Sequence, residues 1–181
     1  MSYTIRGVVL FCATMFLPTL SVAQTCSTTI AATTLTNRFK IKTNGTVLDT
    51  QTGRLWKQCS EGQSSTGCTG SSVQYTRQQA LEIAQSVNKT GFAGYKDWRV
   101  PTIKELASIM ERQCIFPTIN LSVFPNTPSD LFWTSEPYAK YTYRAWYSNF
   151  AYGYHSYTLN ETSRYNVRLV RNCLHTAECT P

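Results

Sequence analysis

The cysteines constrain the fold of this chain more strongly than any other feature of its sequence. The chain has seven. Cys12 lies in an apolar N-terminal segment, and the even number that remains predicts a framework of disulfides. Cys59 and Cys68 flank a loop rich in Gly, Ser and Thr, so we expect them to pair. The other two expected pairs, which would tie the middle of the chain to its last strand and join its ends, are Cys114–Cys173 and Cys26–Cys179. A metal site is not expected, because no C-x-x-C motif occurs and there are only two His.

The N-terminus has the three-part pattern of a secretory signal peptide. Arg6 precedes the apolar run Gly7–Leu20, and the small residues of Ser21-Val22-Ala23 predict cleavage before Gln24. The run is shorter than the roughly 20 residues that a membrane-spanning helix needs, so a membrane anchor is the weaker alternative. No later segment is apolar enough to cross a membrane. We therefore expect residues 1–23 to direct export through the Sec route, to the periplasm or to the cell surface and beyond.

The remaining residues predict one basic domain. We expect a Thr- and Ser-rich arm at 24–37 and a single domain at 38–181. Without Arg6, 16 basic and 10 acidic side chains give a formal net charge of +6. This charge suits a sulfated or acidic polysaccharide or another surface polyanion. The alternative is that the charge only keeps the protein in solution. Nucleic acid is not the expected partner, because the positive residues are scattered and form no tract.

Turn signals and apolar patterns predict an α+β domain with an antiparallel sheet. The segment Phe39–Trp56 is typical of a hairpin, with a type I′ turn at Asn44-Gly45. Capping-box sequences that begin at Thr76 and Thr102 predict two helices. After the helices, short runs rich in aromatic and β-branched residues predict strands. These predicted strands are Phe132–Thr134, Ala145–Ala151, Ser156–Leu159 and Asn166–Val170.

A series of short motifs in a fixed order makes the chain recognisable. The longest is Gly94–Leu106, which reads Gly-Tyr-Lys-Asp-Trp-Arg-Val-Pro-Thr-Ile-Lys-Glu-Leu. The others are Gly53–Trp56, Phe124–Pro128, Phe132–Ser135, Ala145–Tyr147 and Val167–Arg171. Together these motifs, over about residues 45–173, resemble a bacterial family, the Legionella collagen-like protein C-terminal domain.

The resemblance implies both a fold and a function. The implied fold is C-type lectin-like, with an N-terminal β-hairpin, two helices and then an antiparallel sheet of short strands. The implied function is that of an exported adhesin, which in the founding member binds sulfated glycosaminoglycans and forms a trimer. The motif residues that we expect to be structural are Trp56, Asp97, Trp98, Arg99, Pro101, Thr102, Glu105, Trp133, Trp146, Arg168 and Arg171.

The longest motif also has a physical interpretation. We expect Trp98 to lie in the core and Thr102 to cap the second helix, with Glu105 completing the capping box. Asp97 and Arg99 lie at the approach to that helix, and Arg99 can pair with either Asp97 or Glu105. The motif is therefore predicted to be architectural rather than catalytic.

The best candidate binding surface lies between Pro137 and Arg164. Tyrosines and basic residues are interleaved there, a mixture that stacks on sugar rings and binds sulfate or carboxylate groups. Tyr147, Tyr157 and Tyr165 also lie in or beside this segment. The alternative is that the tyrosines are cross-strand packing pairs. The candidate ligand-binding residues are Tyr138, Lys140, Tyr141, Tyr143, Arg144, Tyr152, Tyr154, His155 and Arg164.

Catalysis has little support in the sequence. His155 and His175 are the only imidazoles, and no Gly-x-Ser-x-Gly elbow occurs. The segment Glu136-Pro137-Tyr138 only superficially resembles a calcium loop of C-type lectins, so we expect no calcium and no cofactor. We therefore expect a non-catalytic binding domain. The alternatives are an envelope structural protein that binds another protein and, more weakly, an enzyme of the formylglycine-generating type.

Overall fold

Three antiparallel sheets and two α-helices make up the described part of the chain. The computed structural model describes residues 23–64, 67–141, 144–158, 160, 162–173 and 179, so the expected signal peptide lies outside it apart from residue 23. The helices are α1 (Arg77–Thr90) and α2 (Ile103–Ser108), preceded by a 3-10 turn at Thr36–Arg38. The strands are β1 (Thr25–Cys26), β2 (Phe39–Ile41), β3 (Thr46–Asp49), β4 (Arg54–Lys57), β5 (Cys114–Ile115), β6 (Leu131–Pro137), β7 (Ala145–Asn149), β8 (Tyr154–Tyr157) and β9 (Val170–Asn172).

The sheets confirm a mixed α and β architecture with antiparallel pairing. The largest has the strand order β2-β3-β4-β9, so the last strand returns beside the N-terminal strands. A second sheet has the order β6-β7-β8, and β1 pairs with β5. The predicted strand at Asn166–Val170 is placed too early, because the strand runs over Val170–Asn172. Asn166 makes an isolated parallel bridge to Phe132 and joins the two larger sheets instead.

The predicted turn between β2 and β3 is wrong in type. A type I′ turn needs a positive φ at both central residues, whereas of Asn44 and Gly45 only Gly45 has one, at 79°. The loop has four residues, and the Gly45 amide donates to the Lys42 carbonyl. Glycine adopts this left-handed conformation without strain, which explains its position at the end of the loop.

Both helices begin where the capping boxes predicted. The Thr76 hydroxyl accepts from the Gln79 amide, and the Gln79 side chain accepts from the Thr76 amide. Thr102 and Glu105 make the same pair of bonds at the start of α2. Each box satisfies two backbone donors that a helix start leaves without partners.

The four-stranded sheet has a hydrophobic core on each of its faces. Val47 and Trp56 are cross-strand partners on one face, and Leu48 and Leu55 are partners on the other. All four are buried. The Trp56 face packs against Leu106, Ile109, Met110, Ile119, Val123, Phe124, Phe132 and Phe150. The Leu48 face packs against Ala80, Ala84, Trp98, Val100, Trp133, Ala145, Val167 and Leu169. The sheet is therefore the central layer of the domain.

The disulfides correct two of the three expected pairs. Cys59 pairs with Cys68 as expected. The structure pairs Cys26 with Cys114 and Cys173 with Cys179, so the expected pairs Cys114–Cys173 and Cys26–Cys179 are wrong. The two pairs were predicted from the positions of the cysteines along the chain, whereas the N-terminal arm runs back along the segment after α2. There Cys26 and Cys114 are opposite each other in the β1–β5 ladder.

The Thr- and Ser-rich arm is packed against the rest of the domain by a buried carboxylate. Glu111 accepts hydrogen bonds from the backbone amides of Thr33, Thr34 and Gln113, and from the hydroxyls of Thr33 and Thr34. Burial opposes ionisation, but these donors outweigh it and lower the pKa of Glu111 to about 2. The Gln24 side chain also donates to the carbonyls of residues 117 and 119.

Candidate functional site

Glu105, which lies in the longest motif, is the centre of an ion-pair network at the start of α2. Glu105 accepts from Arg54 at 2.7 Å and from Arg99 at 2.6 and 2.8 Å, in addition to the Thr102 amide. Burial alone would raise the pKa of Glu105, but these donors lower it to about 2. Arg99 therefore pairs with Glu105, which was one of its two expected partners. Both carboxylate oxygens of Glu105 are thus engaged by partners within the fold.

The Asp97 side chain binds a residue of the last strand, β9, and not the start of α2. Its carboxylate accepts from Arg171 at 2.6 Å, and the Arg171 guanidinium lies 3.8 Å from the ring centroid of Tyr95. Trp98 is buried between these groups and donates its indole N–H to the Phe92 carbonyl. The motif thus fastens the segment after α1 to β9.

Arg168 is a fully buried cation that neutral oxygens surround. Its guanidinium donates to the carbonyls of Lys57 and Gln58 and to the hydroxyl of Thr127 at 2.7 Å. It also lies 4.9 Å from the ring centroid of Phe124. Burial lowers the pKa of Arg168 to about 9. These contacts cross-link the end of β4 and the residue after it to the segment before β6.

Most of the described acidic side chains are buried or partly buried, whereas several basic side chains are exposed on the surface. Asp49, Glu61 and Glu105 are buried in ion pairs with Arg38, Lys57 and the two arginines described above. Among the described residues, only two acidic side chains are exposed, namely Glu82 and Asp97. The exposed basic residues are Lys40, Lys89, Lys96, Lys104, Arg112, Lys140 and Arg164. In the described part of the chain, exposed basic residues therefore outnumber exposed acidic ones.

The loop between β6 and β7 carries what we name the aromatic–cation cluster, which consists of Tyr138, Lys140, Tyr141, Arg144, Trp146 and Tyr157. Tyr138 and Tyr157 stack at 4.2 Å between ring centroids with an interplanar angle of 20°. The Arg144 guanidinium lies 4.6 Å from the Tyr141 centroid and 5.7 Å from that of Tyr157. The Tyr138 amide donates to the Arg144 carbonyl and closes the base of the loop. Stacked rings and cations thus occupy one end of the second sheet.

Strand alternation explains how distant residues reach this cluster. Trp146 and Tyr157 are cross-strand partners, and their rings lie 5.8 Å apart in an edge contact. Trp146 also meets Tyr138 at 5.7 Å. Lys140 extends over Tyr141 at 5.5 Å. Trp146 was expected to be structural, and Tyr157 was not among the candidate binding residues, although alternation along β7 and β8 places both on one face.

The structure disperses the other candidate binding residues. Tyr152 and Tyr154 lie at the β7–β8 turn and are 60% and 48% exposed. Arg164 donates to Gln79 at the start of α1. His155 lies in β8, between Tyr154 at the turn and Tyr157 in the cluster. Tyr143 lies outside the described residues. Of the nine candidates, the structure brings four together, which are Tyr138, Lys140, Tyr141 and Arg144.

His155 contacts a buried serine instead of facing solvent. Its Nδ1 lies 2.8 Å from the Ser148 hydroxyl across β7 and β8. Burial, followed by the charge of Arg112, lowers the pKa of His155 and favours the neutral imidazole. Ser148 has no exposed surface, so a substrate has no access to this serine. The contact is suited to holding the two strands in register.

A second feature, the tyrosine cavity, lies beside the cluster. Its tyrosines belong to the candidate surface predicted from the sequence, whereas its small polar residues were not singled out. It is open, with a volume of about 480 Å³. Its described lining residues are Tyr147, Ser156, Tyr157, Thr158, Asn160, Ser163 and Tyr165. Small polar residues in a loop have no sequence pattern that would mark them as part of a site. Strand alternation does place Tyr147 on the face of β7 opposite to Trp146.

The described ranges contain neither a cluster of metal ligands nor a membrane-spanning helix. Within them, no group of three or more His, Cys, Asp or Glu side chains is placed to hold a metal ion. No helix there has the length and apolar character needed to span a bilayer. Three disulfides in a chain of this size are consistent with an exported protein, because such bonds persist in oxidising compartments.

The geometry defines a class of protein, and one comparison defines the family. The class is a small disulfide-linked α+β domain with an internal ion-pair framework and a basic surface. The model of the Lcl C-terminal domain matches residues 45–171. The chain therefore belongs to the Lcl C-terminal domain family, which confirms the resemblance seen in its motifs. No curated protein and no solved structure matches the chain.

Proposed function

We propose that this protein is an exported, non-catalytic, adhesin-like domain that binds an anionic polysaccharide. The observation that carries the proposal is the aromatic–cation cluster on a surface where exposed basic residues outnumber exposed acidic ones. Family membership supports the proposal, as does the use of the motif acids in internal ion pairs. The structural binding of another protein remains the competing function.

The cluster has suitable chemistry for a sulfated or uronic acid polymer. Lys140 is exposed at the loop tip, and its ammonium group is a point charge with three donors. Arg144 presents a planar guanidinium, which bonds two oxygens of one sulfate or carboxylate group. The Tyr141 side chain is exposed, and aromatic rings are a type of group that stacks on sugar rings. The stacking of Tyr138 on Tyr157 holds the surface in place before a ligand arrives.

Multiple weak contacts are part of the proposal. One cluster with two cations binds a flexible polyanion weakly, because surface ion pairs contribute little individually and salt screens them. Repeated sites on one polymer, or several copies of the domain, raise the avidity without new contacts. We accordingly propose a homo-oligomer, with the trimer and the C-type lectin-like layout that the family implies.

The double substitution Lys140→Gln with Arg144→Gln tests the cluster. We expect the dissociation constant for a sulfated polysaccharide to rise about tenfold, because two charge-assisted contacts are lost. The matched control is Lys89→Gln with Lys96→Gln, which removes the same charge from exposed positions outside the cluster. The measurement is the binding of each variant to the immobilised polymer at fixed salt, with thermal unfolding to check the fold.

The control also separates specific binding from general attraction. Equal losses in both double variants would reduce the cluster to part of a diffuse positive surface. Unchanged binding in the cluster variant would contradict the proposal. No binding by the wild-type protein would favour a protein partner and assign the tyrosines to packing.

A further inference from the structure

The tyrosine cavity has a wall that the core holds rigid. Tyr147 and Tyr165 meet edge to face at 5.1 Å between ring centroids. Tyr165 in turn packs on the buried Trp133 at 4.4 Å, and Trp133 donates its indole N–H to the Tyr75 carbonyl. The backbones of Tyr75 and Tyr165 also bond to each other in both directions. A wall held in this way loses little conformational entropy when it binds a ligand.

The other side of the cavity consists of hydroxyl and amide groups. The Thr158 hydroxyl lies 2.8 Å from that of Ser163 and bonds to the backbone of Asn160. The Asn160 carboxamide oxygen accepts from Thr162, while no described residue accepts from its Nδ2 group. Ser156 lies opposite Tyr147 in the β7–β8 ladder. Such hydroxyls both donate and accept hydrogen bonds.

These two sides fit one kind of ligand. The described lining carries no charged side chain, so it offers no counter-ion to an anionic group. A sugar ring has an apolar face of C–H groups and an edge of hydroxyls, which match the tyrosine wall and the polar side. The volume falls within the roughly 300–1,000 Å³ typical of small-molecule sites, and the open shape lets the rest of a chain of sugars continue into solvent.

We propose that the tyrosine cavity is a separate binding subsite for an uncharged monosaccharide unit. Tyr157 belongs to both features, since it lines the cavity and stacks on Tyr138 in the aromatic–cation cluster. Cross-strand pairing places Tyr157 with Trp146 on one face of β7 and β8, and Ser156 with Tyr147 on the other. The subsite does not rest on the proposed polyanion binding, because the cavity binds a neutral sugar without it.

The test is a two-dimensional NMR titration of the labelled protein with the neutral disaccharides cellobiose, chitobiose, maltose and lactose. High salt suppresses ion-pair contacts with the cluster. We expect at least one disaccharide to give saturable shifts of residues at the cavity, with a dissociation constant on the order of millimolar. The Tyr147 and Ser156 side chains also bond to each other. Tyr147→Phe and Ser156→Ala should each weaken that binding about fivefold, because each removes a hydroxyl from the cavity lining.

Ser86→Ala is the matched control for Ser156→Ala, because it removes the hydroxyl of an exposed residue on α1, outside the cavity lining. This variant should bind the disaccharide as the wild type does. The inference is overturned if none of the four disaccharides gives saturable shifts, or if the shifts map away from the cavity. Disaccharide binding without polyanion binding would refute the proposed function and leave the subsite intact.

Discussion

Replacing Cys26 and Cys114 together by Ser should destabilise the domain by about 4–5 kcal/mol. The disulfide closes a loop with a sequence separation of 88. In the chain-entropy description, a disulfide restricts the unfolded chain, and the stability lost on its removal grows with the logarithm of the loop length. The bond also ties the N-terminal arm to the segment after α2. The measurement is the free energy of unfolding in urea under oxidising conditions.

Cys173→Ser with Cys179→Ser is the matched control for this prediction. That disulfide spans a sequence separation of only 6, so its removal should cost about 2 kcal/mol. Equal losses in the two double variants would contradict the loop-length argument. Peptide mapping of the oxidised wild type checks the pairing itself, since the fragments that contain Cys26 and Cys114 should be linked.

Glu105→Gln should cost about 2–3 kcal/mol at neutral pH, because Arg54 and Arg99 lose the carboxylate that compensates them. This expected loss of stability is smaller than for a fully buried pair, since both arginines contact solvent. The folded-state pKa of Glu105 is about 2, below its ordinary 4.5. Its ionised form therefore stabilises the fold above about pH 5, and this stabilisation is lost as the pH falls toward 2.

The pH dependence distinguishes this electrostatic role from a packing role. The difference in unfolding free energy between wild type and Glu105→Gln should narrow as the pH falls from about 5 to about 2. The exposed Glu82 on α1 provides the control, and Glu82→Gln should change stability by less than about 0.5 kcal/mol. A difference for Glu105→Gln that is the same at all pH values would show that shape, and not charge, is what the site requires.

Local signals in the sequence predicted the local structure well. The capping boxes at Thr76 and Thr102 depend on residues three apart, so the sequence contains all that is needed to predict them. The loop pair Cys59–Cys68 is local for the same reason. The other disulfides depend on how the arm returns to the domain. That return follows from bonds between Glu111 and residues near Thr33, which no short pattern reveals.

The candidate site was predictable only in part. The tyrosine and arginine composition of the segment from β6 to β8 indicated a surface, and Tyr138, Lys140, Tyr141 and Arg144 lie together in one loop. Strand register then determined the rest, because it placed Tyr157 beside Trp146 and directed His155 onto Ser148. The tyrosine cavity combines residues of two strands with Thr158, Asn160, Ser163 and Tyr165, so its lining is a product of tertiary structure.

The central claim is that this domain binds an anionic polysaccharide through its charge. The most direct measurement is calorimetric titration of the wild-type protein with heparin and with the same polymer after removal of its sulfates, at low and physiological salt. The account predicts at least about tenfold tighter binding to the sulfated polymer, and affinity that falls as salt rises. Equal affinity for both polymers that is independent of salt, or no binding to either, would contradict it.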